Sequence, residues 1–257
     1  MDRQFLRFAH HLADLARLIA ASHFRSDLLM NRKLDASPVS NIDLAIENRL
    51  LDLISKRYPS HGFMGEELGD FNKNSPYQWV IDPIDGTVSF IAGKPTFCTL
   101  ISLIHEEIPI LGIIDQPIAG ERWVGQKGKK TEFNSTPCTL KSKKSPFIRL
   151  ACTTPFMFKG NEFNIFETIS NLASSTSFGG DAYNDGLLAM GQIDIIMEAD
   201  LKFYDVAALI PVVEGAGGLI SDWQGNLIRK DGFDGRVLAT SHRSLHGSIL
   251  ENIRSFL

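Results

Sequence analysis

The chain has 257 residues, of which 44% are hydrophobic and 22% are charged. That composition is typical of an ordinary globular protein and excludes a disordered, collagen-like or heptad-repeat chain. The 26 basic and 30 acidic residues give a formal net charge of −4. This balance excludes the broad basic surface that non-specific nucleic-acid binding needs, so a small ligand is expected rather than nucleic acid.

The cysteines and the N-terminal segment indicate in which cellular compartment the protein is expected. Cys98, Cys138 and Cys152 have neither the spacing of a zinc site nor the number and density of a disulfide framework, which favours a reducing environment. The chain begins with a periodic pattern rather than an apolar block, and no stretch has the length and hydrophobicity of a bilayer span. We therefore predict a cytoplasmic protein without a membrane partner.

The first half of the chain predicts two helices followed by strands. Apolar residues three and four positions apart predict a helix over residues 3–29. Ser40 stands three residues before Asp43, as in a capping box, and starts a second helix that ends near Tyr58. Three short apolar runs then have the composition of strands: Trp79–Ile81, Phe97–Ile104 and Ile108–Ile114. A sheet packed against two helices is expected here.

The second half alternates strands and helices, which is typical of an α/β fold. The predicted strands are Ile148–Cys152, Ser175–Phe178, Ile193–Met197, Leu219–Ser221 and Val237–Thr240. The predicted helices are Glu162–Leu172, Tyr183–Met190, Val206–Glu214 and Ser244–Phe256. Glycines 215, 217 and 218 are expected to end the third of these helices. Residues 127–145 are rich in Lys, Thr and Ser. We therefore predict an α+β half over residues 1–140 and an α/β half over residues 141–257.

Two aspartates follow the predicted strand at residues 79–81, in the segment Asp82-Pro83-Ile84-Asp85-Gly86-Thr87. The proline has a fixed φ and no N–H, so the chain is expected to turn where the strand ends. The two carboxylates and the isoleucine carbonyl can then converge. Gly86 and Thr87 allow close backbone approach and, at the start of a helical turn, offer N–H groups to a phosphate. The alternative is that the aspartates only cap a turn.

Further carboxylates come from Glu66 and from Asp205, at the predicted start of the helix Val206–Glu214. Like charges so close together raise one another's pKa and destabilise the fold unless a cation lies between them. All the candidate ligands are hard oxygens, which favours Mg²⁺, with Mn²⁺ as a substitute. A water on such an ion, near Glu66 and Thr87, can attack phosphorus, so these residues predict phosphate-ester hydrolysis.

Three sequence blocks, in the same order, resemble the signatures of the inositol monophosphatase superfamily: Gly65-Glu66-Glu67, Asp82–Thr87, and Tyr204–Ala208 followed by Glu214–Gly218. The resemblance runs from about Lys33 to about Ser241. It implies the layered αβαβα sandwich shared with fructose-1,6-bisphosphatase. It also implies Mg²⁺-dependent, lithium-sensitive hydrolysis of a small phosphorylated metabolite, by a homodimer.

The resemblance also implies a role for each site residue. The implied ligands of two or three Mg²⁺ ions are Glu66, Asp82, the Ile84 carbonyl, Asp85 and Asp205. The implied catalytic residues are Asp82 together with Glu66 and Thr87, which polarise the attacking water. The implied substrate-binding residues are Asp85, Gly86, Thr87, Gly180, Asp181, Glu198 and Asp205. The resemblance also places Asp43 and Lys33 in an outer shell of the metal site. The alternative for Asp43 is a residue of the first turn of a helix, and the alternative for Lys33 is a solvated charge in a loop.

Four later segments resemble the histidinol-phosphate phosphatases of this superfamily: Ile110–Pro117, Glu121–Trp123, Phe178–Tyr183 and Ala199–Asp205. Tyr204 stands where the inositol-phosphate enzymes tend to carry Trp. Histidinol phosphate carries an ammonium and an imidazole, so a carboxylate pair suits it, and Asp181 and Glu198 are the candidates. The alternative for Asp181 is a helix N-cap.

The sequence thus predicts a phosphatase that converts L-histidinol phosphate to L-histidinol, a step of histidine biosynthesis. The alternative substrate is myo-inositol 1-phosphate, and a nucleotide such as adenosine bisphosphate is a third possibility. Because some bacterial relatives also bind the transcription machinery, the resemblance leaves open a further, non-catalytic role with RNA polymerase.

Overall fold

The computed structural model describes residues 3–26, 30–32, 38–140 and 147–256. In these ranges the helices are α1 (Arg3–His23), α2 (Asn41–Arg57), α3 (Thr87–Ile91), α4 (Asn161–Leu172), α5 (Tyr183–Ala189), α6 (Phe203–Val206), α7 (Leu209–Ala216) and α8 (Arg243–Arg254). The strands before residue 140 are β1 (Met30–Arg32), β2 (Pro38–Ser40), β3 (Gly62–Gly65), β4 (Gly69–Phe71), β5 (Tyr77–Asp85), β6 (Cys98–His105), β7 (Ile108–Gln116), β8 (Glu121–Gln126), β9 (Thr131–Phe133) and β10 (Thr136–Cys138). The later strands are β11 (Arg149–Cys152), β12 (Ser175–Phe178), β13 (Ile195–Glu198), β14 (Leu219–Ser221) and β15 (Val237–Thr240).

Two mixed sheets form the framework. The larger has eight strands in the order β10-β9-β8-β7-β6-β5-β3-β4, and only its β3–β5 pair is parallel. The smaller has five strands in the order β12-β11-β13-β15-β14, with parallel pairing on both sides of β11. A separate two-stranded ribbon pairs β1 with β2.

Helices lie on both faces of both sheets. α1 and α2 pack on one face of the larger sheet; α5 and α7 fill the space between the sheets; α8 packs on the outer face of the smaller sheet, beside α4. Strand periodicity explains this arrangement, because alternate residues of β6 enter different cores. Leu100 belongs to the core between the sheets, and its neighbour Ile101 to the core under α1. The predicted αβαβα sandwich is confirmed.

The predicted first helix, residues 3–29, is too long, because α1 ends at His23. The side chains of Ser22 and His23 both bond to the Ile19 carbonyl, and such side-chain bonds compete with the helical ladder. Arg25 then has a φ of 61°, which a right-handed helix cannot contain. Residues 27–29 lie outside the described residues.

The predicted helix Val206–Glu214 is divided into α6 and α7, so Asp205 lies inside a short helix rather than at the start of a long one. Pro211 explains the break. It has no N–H to donate and is tolerated in the first turn of a helix, so α7 begins two residues before it. The predicted stop is confirmed: Gly217, with a φ of 99°, ends α7.

The polar stretch 127–145 is only partly a connection, because it contains β9 and β10 at the edge of the larger sheet. All strands of the larger sheet precede residue 140, and all strands of the smaller sheet follow it. Division of the chain at 140/141 stays a prediction, since residues 141–146 lie outside the described ranges. None of the helices in those ranges has both the length and the hydrophobicity needed to cross a membrane.

Candidate metal and phosphate site

A bulge in β5 brings two aspartates to the same side of the strand. Residues three apart in a regular strand point to opposite faces. Asp82 pairs with Leu100 and Asp85 with Cys98, so β5 has one residue more than β6 across this step. An extra residue of this kind re-aims the side chains that follow it. The turn predicted at Pro83 is therefore wrong: the strand continues to Asp85, and the bulge makes the carboxylates converge.

Asp205 completes a group of three carboxylates. One oxygen each of Asp82, Asp85 and Asp205 lies within 4.8 Å of the others. Asp205 Oδ2 accepts the Lys202 N–H at 2.6 Å, and Asp85 Oδ2 accepts the Ala182 N–H at 2.6 Å. Asp82 Oδ1 is buried without a hydrogen-bond partner in the described part of the chain. We call these three residues the aspartate cluster.

The aspartate cluster is electrostatically unfavourable by itself. Burial, followed by the charges of Glu66 and the neighbouring aspartates, raises the pKa of Asp82 well above its usual range. Burial and the charges of Asp181 and Asp205 do the same to the pKa of Asp85. Burial raises the pKa of Asp205 to about 8. Crowded hard oxygens, one of them without a partner, are the donor set that Mg²⁺ and similar cations prefer, so the residues fit such an ion.

Glu66 connects this cluster to a second acidic group. Asp43, Glu66 and Glu67 each offer an oxygen within 4.8 Å of the others, while the charge of Glu66 also raises the pKa of Asp82. Asp43 caps α2 through one of its oxygens, and its predicted place in an outer shell of the metal site stays a prediction. Its Oδ2 accepts the Ser40 N–H in the capping box of α2, and its buried Oδ1 has no hydrogen-bond partner among the described residues. Lys33, the other predicted outer residue, lies outside the described residues.

Gly86 and Thr87 lie where the sequence predicts a phosphate contact. Gly86 has a φ of 85° and precedes α3, which begins at Thr87. A Cβ on Gly86 would lie 2.6 Å from Asp181 Oδ2, so this position needs glycine for both its conformation and the close approach. The Thr87 hydroxyl donates to the Ile84 carbonyl at 3.1 Å. Its oxygen lone pairs are therefore left to accept a hydrogen bond from a water.

Asp181 and Glu198 are two further acids close to the aspartate cluster. Asp181 follows the buried Gly180 and accepts a hydrogen bond from the Ser89 hydroxyl at 3.2 Å. It is not an N-cap, since α5 starts after Ala182 without a side-chain cap bond. Glu198 Oε1 accepts from the N–H and the hydroxyl of Thr153. Burial raises the pKa of Glu198 to about 7. The charges of Asp181 and Glu198 both contribute to the raised pKa of Asp85.

Sequence reasoning missed several neighbours of the site. Glu47 is fully buried on α2, and Asp185 is buried on α5, where burial and the charge of Glu198 raise its pKa well above the usual range. One signal was available for α2: Asp43 and Glu47 are four residues apart and interrupt its apolar face. No comparable pattern marks Ser89 or Asp185, because their place beside the site depends on contacts between distant segments.

Comparison with known proteins identifies the family of the chain. The sequence model of the inositol monophosphatase family matches residues 1–256. The chain belongs to the inositol monophosphatase family. It is 37% identical to the bifunctional phosphatase IMPL2, chloroplastic, of Arabidopsis thaliana, over 98% of this chain and 76% of that protein. A histidinol-phosphatase of Chlorobaculum parvum is 29% identical and covers 96% of each chain.

A solved structure of an inositol monophosphatase from Zymomonas mobilis superposes with a TM-score of 0.88. It is 39% identical and covers 98% of both chains. Members of the inositol monophosphatase family are metal-dependent phosphatases, so the chain is a phosphatase of this family. The relatives' names include both histidinol-phosphatase and inositol monophosphatase, which makes the choice of substrate a separate question.

Proposed function

We propose that the chain is a Mg²⁺-dependent phosphatase that hydrolyses L-histidinol phosphate to L-histidinol and inorganic phosphate. The observation that carries the proposal is a group of neighbouring, largely buried acids. Three crowded aspartates, one with an unpartnered buried oxygen, adjoin two further acids, Asp181 and Glu198. The first group suits a cation and the second suits a positively charged substrate. The 29% identity to a histidinol-phosphatase supports the same substrate.

The proposed ligands are Glu66, Asp82, Asp85, Asp205 and the Ile84 carbonyl, for two or three ions. When bound, the metal supplies Lewis-acid chemistry: it acidifies water and offsets the charge that develops on the phosphoryl oxygens. Glu66 and the Asp82 side chain beside it line the approach of the water. Thr87, whose hydroxyl proton is directed to Ile84, accepts a hydrogen bond from that water and orients it.

Backbone N–H groups hold the phosphate in this proposal. Gly86 is the N-cap of α3 and Thr87 is its first residue, a position where N–H groups have no helical partner. The oxygen of water attacks phosphorus and the bond from phosphorus to the ester oxygen breaks. One proton of the water passes to the departing alcohol, and the other stays on the phosphate that forms. The close contact of Asp181 with Gly86 puts a carboxylate beside the phosphate position.

Charge selects the leaving group. Burial raises the pKa of Asp181, and the Ser89 hydroxyl and the charge of Lys94 offset only part of that effect. The charges of Asp181 and Glu198 in turn raise the pKa of Asp85. A group of acids of this kind favours the ammonium and imidazole of histidinol over the neutral hydroxyls of inositol.

A phosphate-release assay tests the substrate. We expect kcat/KM for L-histidinol phosphate to exceed that for myo-inositol 1-phosphate and for adenosine bisphosphate by about tenfold or more, since one charge-assisted hydrogen bond contributes about 1.5–3 kcal/mol. Release is expected to stop when a chelator removes the metal. A preference for the inositol ester would refute the substrate and support the alternative that the Zymomonas mobilis structure represents.

Asp181→Asn tests the charge argument. The variant is expected to lose about 10- to 100-fold in kcat/KM for histidinol phosphate and to keep its activity on inositol 1-phosphate, because only the former substrate presents a cation. Asp231→Asn removes an exposed acid and is the matched control. Equal losses on both substrates would mean that Asp181 supports the site generally and does not select the leaving group.

A further inference from the structure

A carboxylate on α2 is bound to the loop that carries Glu66. Glu47 is fully buried, and its two oxygens face the backbone that follows β3. Oε2 accepts the Glu67 N–H at 2.8 Å and Oε1 accepts the Leu68 N–H at 2.7 Å. Hydrogen bonds from N–H groups to a carboxylate are stronger than those to a neutral acceptor. Glu47 therefore holds both peptide groups that come directly after Glu66.

The backbone before Glu66 is shaped around the same carboxylate. A Cβ built on Gly65 would lie 1.9 Å from Glu47 Oε1 and 2.6 Å from its Cδ. No side chain fits in that space, so glycine allows the Glu47 carboxylate to lie directly on the strand end. Gly65 also pairs with Ile81 of β5, the residue before Asp82, and the Glu66 N–H donates to the Ile81 carbonyl at 3.3 Å.

These contacts fix Glu66 relative to the aspartate cluster. β5 holds one side of the Glu66 backbone, and Glu47 holds the peptide groups on the other side. A side-chain hydrogen bond joins Glu66 to Asp82. Each Glu47 oxygen accepts one backbone N–H, and Glu47 belongs to neither of the two acidic groups found among the described residues, so its observed role is to support this loop.

We propose that Glu47 is a positioning residue that fixes the Glu66 loop and thereby sets the affinity of the site for its metal ion. The proposal rests on the proposed function only in taking Glu66 as a ligand. The N–H groups of Glu67 and Leu68 both donate to the side chain at position 47, so this side chain must offer two acceptor oxygens. A glutamine would turn its NH₂ group towards one of the donors, and that peptide would lose its partner.

Glu47→Gln is the first test, with magnesium chloride as the probe. We expect the dissociation constant of Mg²⁺, measured by calorimetry on the metal-free protein, to rise by about 10- to 100-fold, the usual effect of losing a residue that orients a ligand. The Mg²⁺ concentration for half-maximal phosphate release should rise equally. At saturating Mg²⁺, kcat should return to within about threefold of the wild-type value, because Glu47 touches neither substrate nor metal.

Gly65→Ala separates positioning from charge. It changes no charge but pushes Glu47 away from the loop, so positioning predicts a similar loss of Mg²⁺ affinity. It also keeps the proposal testable if Glu47→Gln does not fold. Asp52→Asn on the same helix, where a partly exposed acid pairs with Arg49 and Lys56, is the control that should leave Mg²⁺ affinity unchanged.

Two outcomes would overturn the proposal. One is a Mg²⁺ dissociation constant that stays at the wild-type value in Glu47→Gln while only the melting temperature falls, as for a purely structural residue. The other is full Mg²⁺ affinity in Gly65→Ala. A failure of the proposed function would give a different result: wild-type protein that binds Mg²⁺ but releases no phosphate from histidinol phosphate. In that case, a weakened Mg²⁺ affinity in Glu47→Gln would still support the positioning role.

Discussion

One additional residue in β5 decides where two aspartates point. Without the bulge, Asp82 and Asp85 would face opposite sides of the larger sheet, and one of them would enter an apolar core. With it, both face Asp205, at the cost of burying like charges. The sequence motif predicted that Asp82 and Asp85 come together. The register between β5 and β6 determines that a bulge, and not a turn, brings them together.

At the residue scale, we expect Asp82→Asn and Asp205→Asn to lower kcat/KM by about a hundredfold or more, equivalent to about 3 kcal/mol of transition-state stabilisation. Each change removes a negative charge from the aspartate cluster. The metal-free variants should unfold at or above the wild-type temperature, because each replaces a buried carboxyl with a raised pKa. Steady-state kinetics and melting curves, with Asp231→Asn as control, test this; an inactive variant that is also unfolded would contradict it.

The pH dependence of metal binding follows from the same residues. Burial raises the pKa of Asp205 to about 8 in the metal-free protein, so below that pH a cation must displace a proton. Mg²⁺ affinity should therefore fall by at least about tenfold per unit as the pH falls from about 8 to about 6, because Asp205 gives up one proton and the pKa values of Asp82 and Asp85 are raised as well. Calorimetry at several pH values, in buffers of different ionisation enthalpy, measures both the Mg²⁺ affinity and the number of protons released. A pH-independent affinity without proton release would refute the assignment.

At the element scale, the start of α2 combines stability with placement of the site. Ser40 Oγ accepts the N–H groups of Ile42 and Asp43, and Asp43 Oδ2 accepts the Ser40 N–H. This reciprocal cap was predicted from the spacing of Ser40 and Asp43. The sequence pattern did not show that α2 also places Asp43 and Glu47 towards the Glu66 loop, because that depends on how the helix packs on β5.

Ser40→Ala is expected to reduce the free energy of unfolding by about 1 kcal/mol, the usual cost of a lost N-cap. Two N–H groups of α2 would lose their acceptor. Urea unfolding monitored by circular dichroism measures the change, and Ser40→Thr, which retains a hydroxyl cap, should lose less. An unchanged unfolding midpoint in Ser40→Ala would show that the cap does not stabilise α2.

At the scale of the whole molecule, the aspartate cluster joins segments that are far apart in the chain. Asp82 and Asp85 come from β5 of the larger sheet, whereas Asp205 comes from α6, after the third strand of the smaller sheet. Asp85 is also bonded to Ala182 at the start of α5. A cation that binds here therefore stabilises the packing of both parts of the chain against each other.

Metal should consequently raise the stability of the whole chain. The pKa of Asp205 is about 8 in the folded state against 3.8 for an ordinary aspartate, so the metal-free protein loses stability as the pH rises from about 4 to about 8. At pH 8 and about a hundredfold excess of Mg²⁺ over its dissociation constant, the free energy of unfolding should rise by about 2.7 kcal/mol. Thermal melts with Mg²⁺ test the stabilisation by metal, and melts with a chelator at pH 5 and pH 8 test the pH dependence of the metal-free protein. A melting temperature that does not change with Mg²⁺ would refute the stabilisation by metal.

Local patterns in the sequence determined the identity of the acidic residues, the alternation of elements in the second half and the capped start of α2, since these depend on neighbours in the chain. Only the tertiary structure decided that a bulge aims Asp82 and Asp85 together, that Pro211 separates α6 from α7, and that Glu47 holds the Glu66 loop. The physical reason is that burial and charge repulsion act between segments brought together by folding, and sequence spacing does not encode those distances.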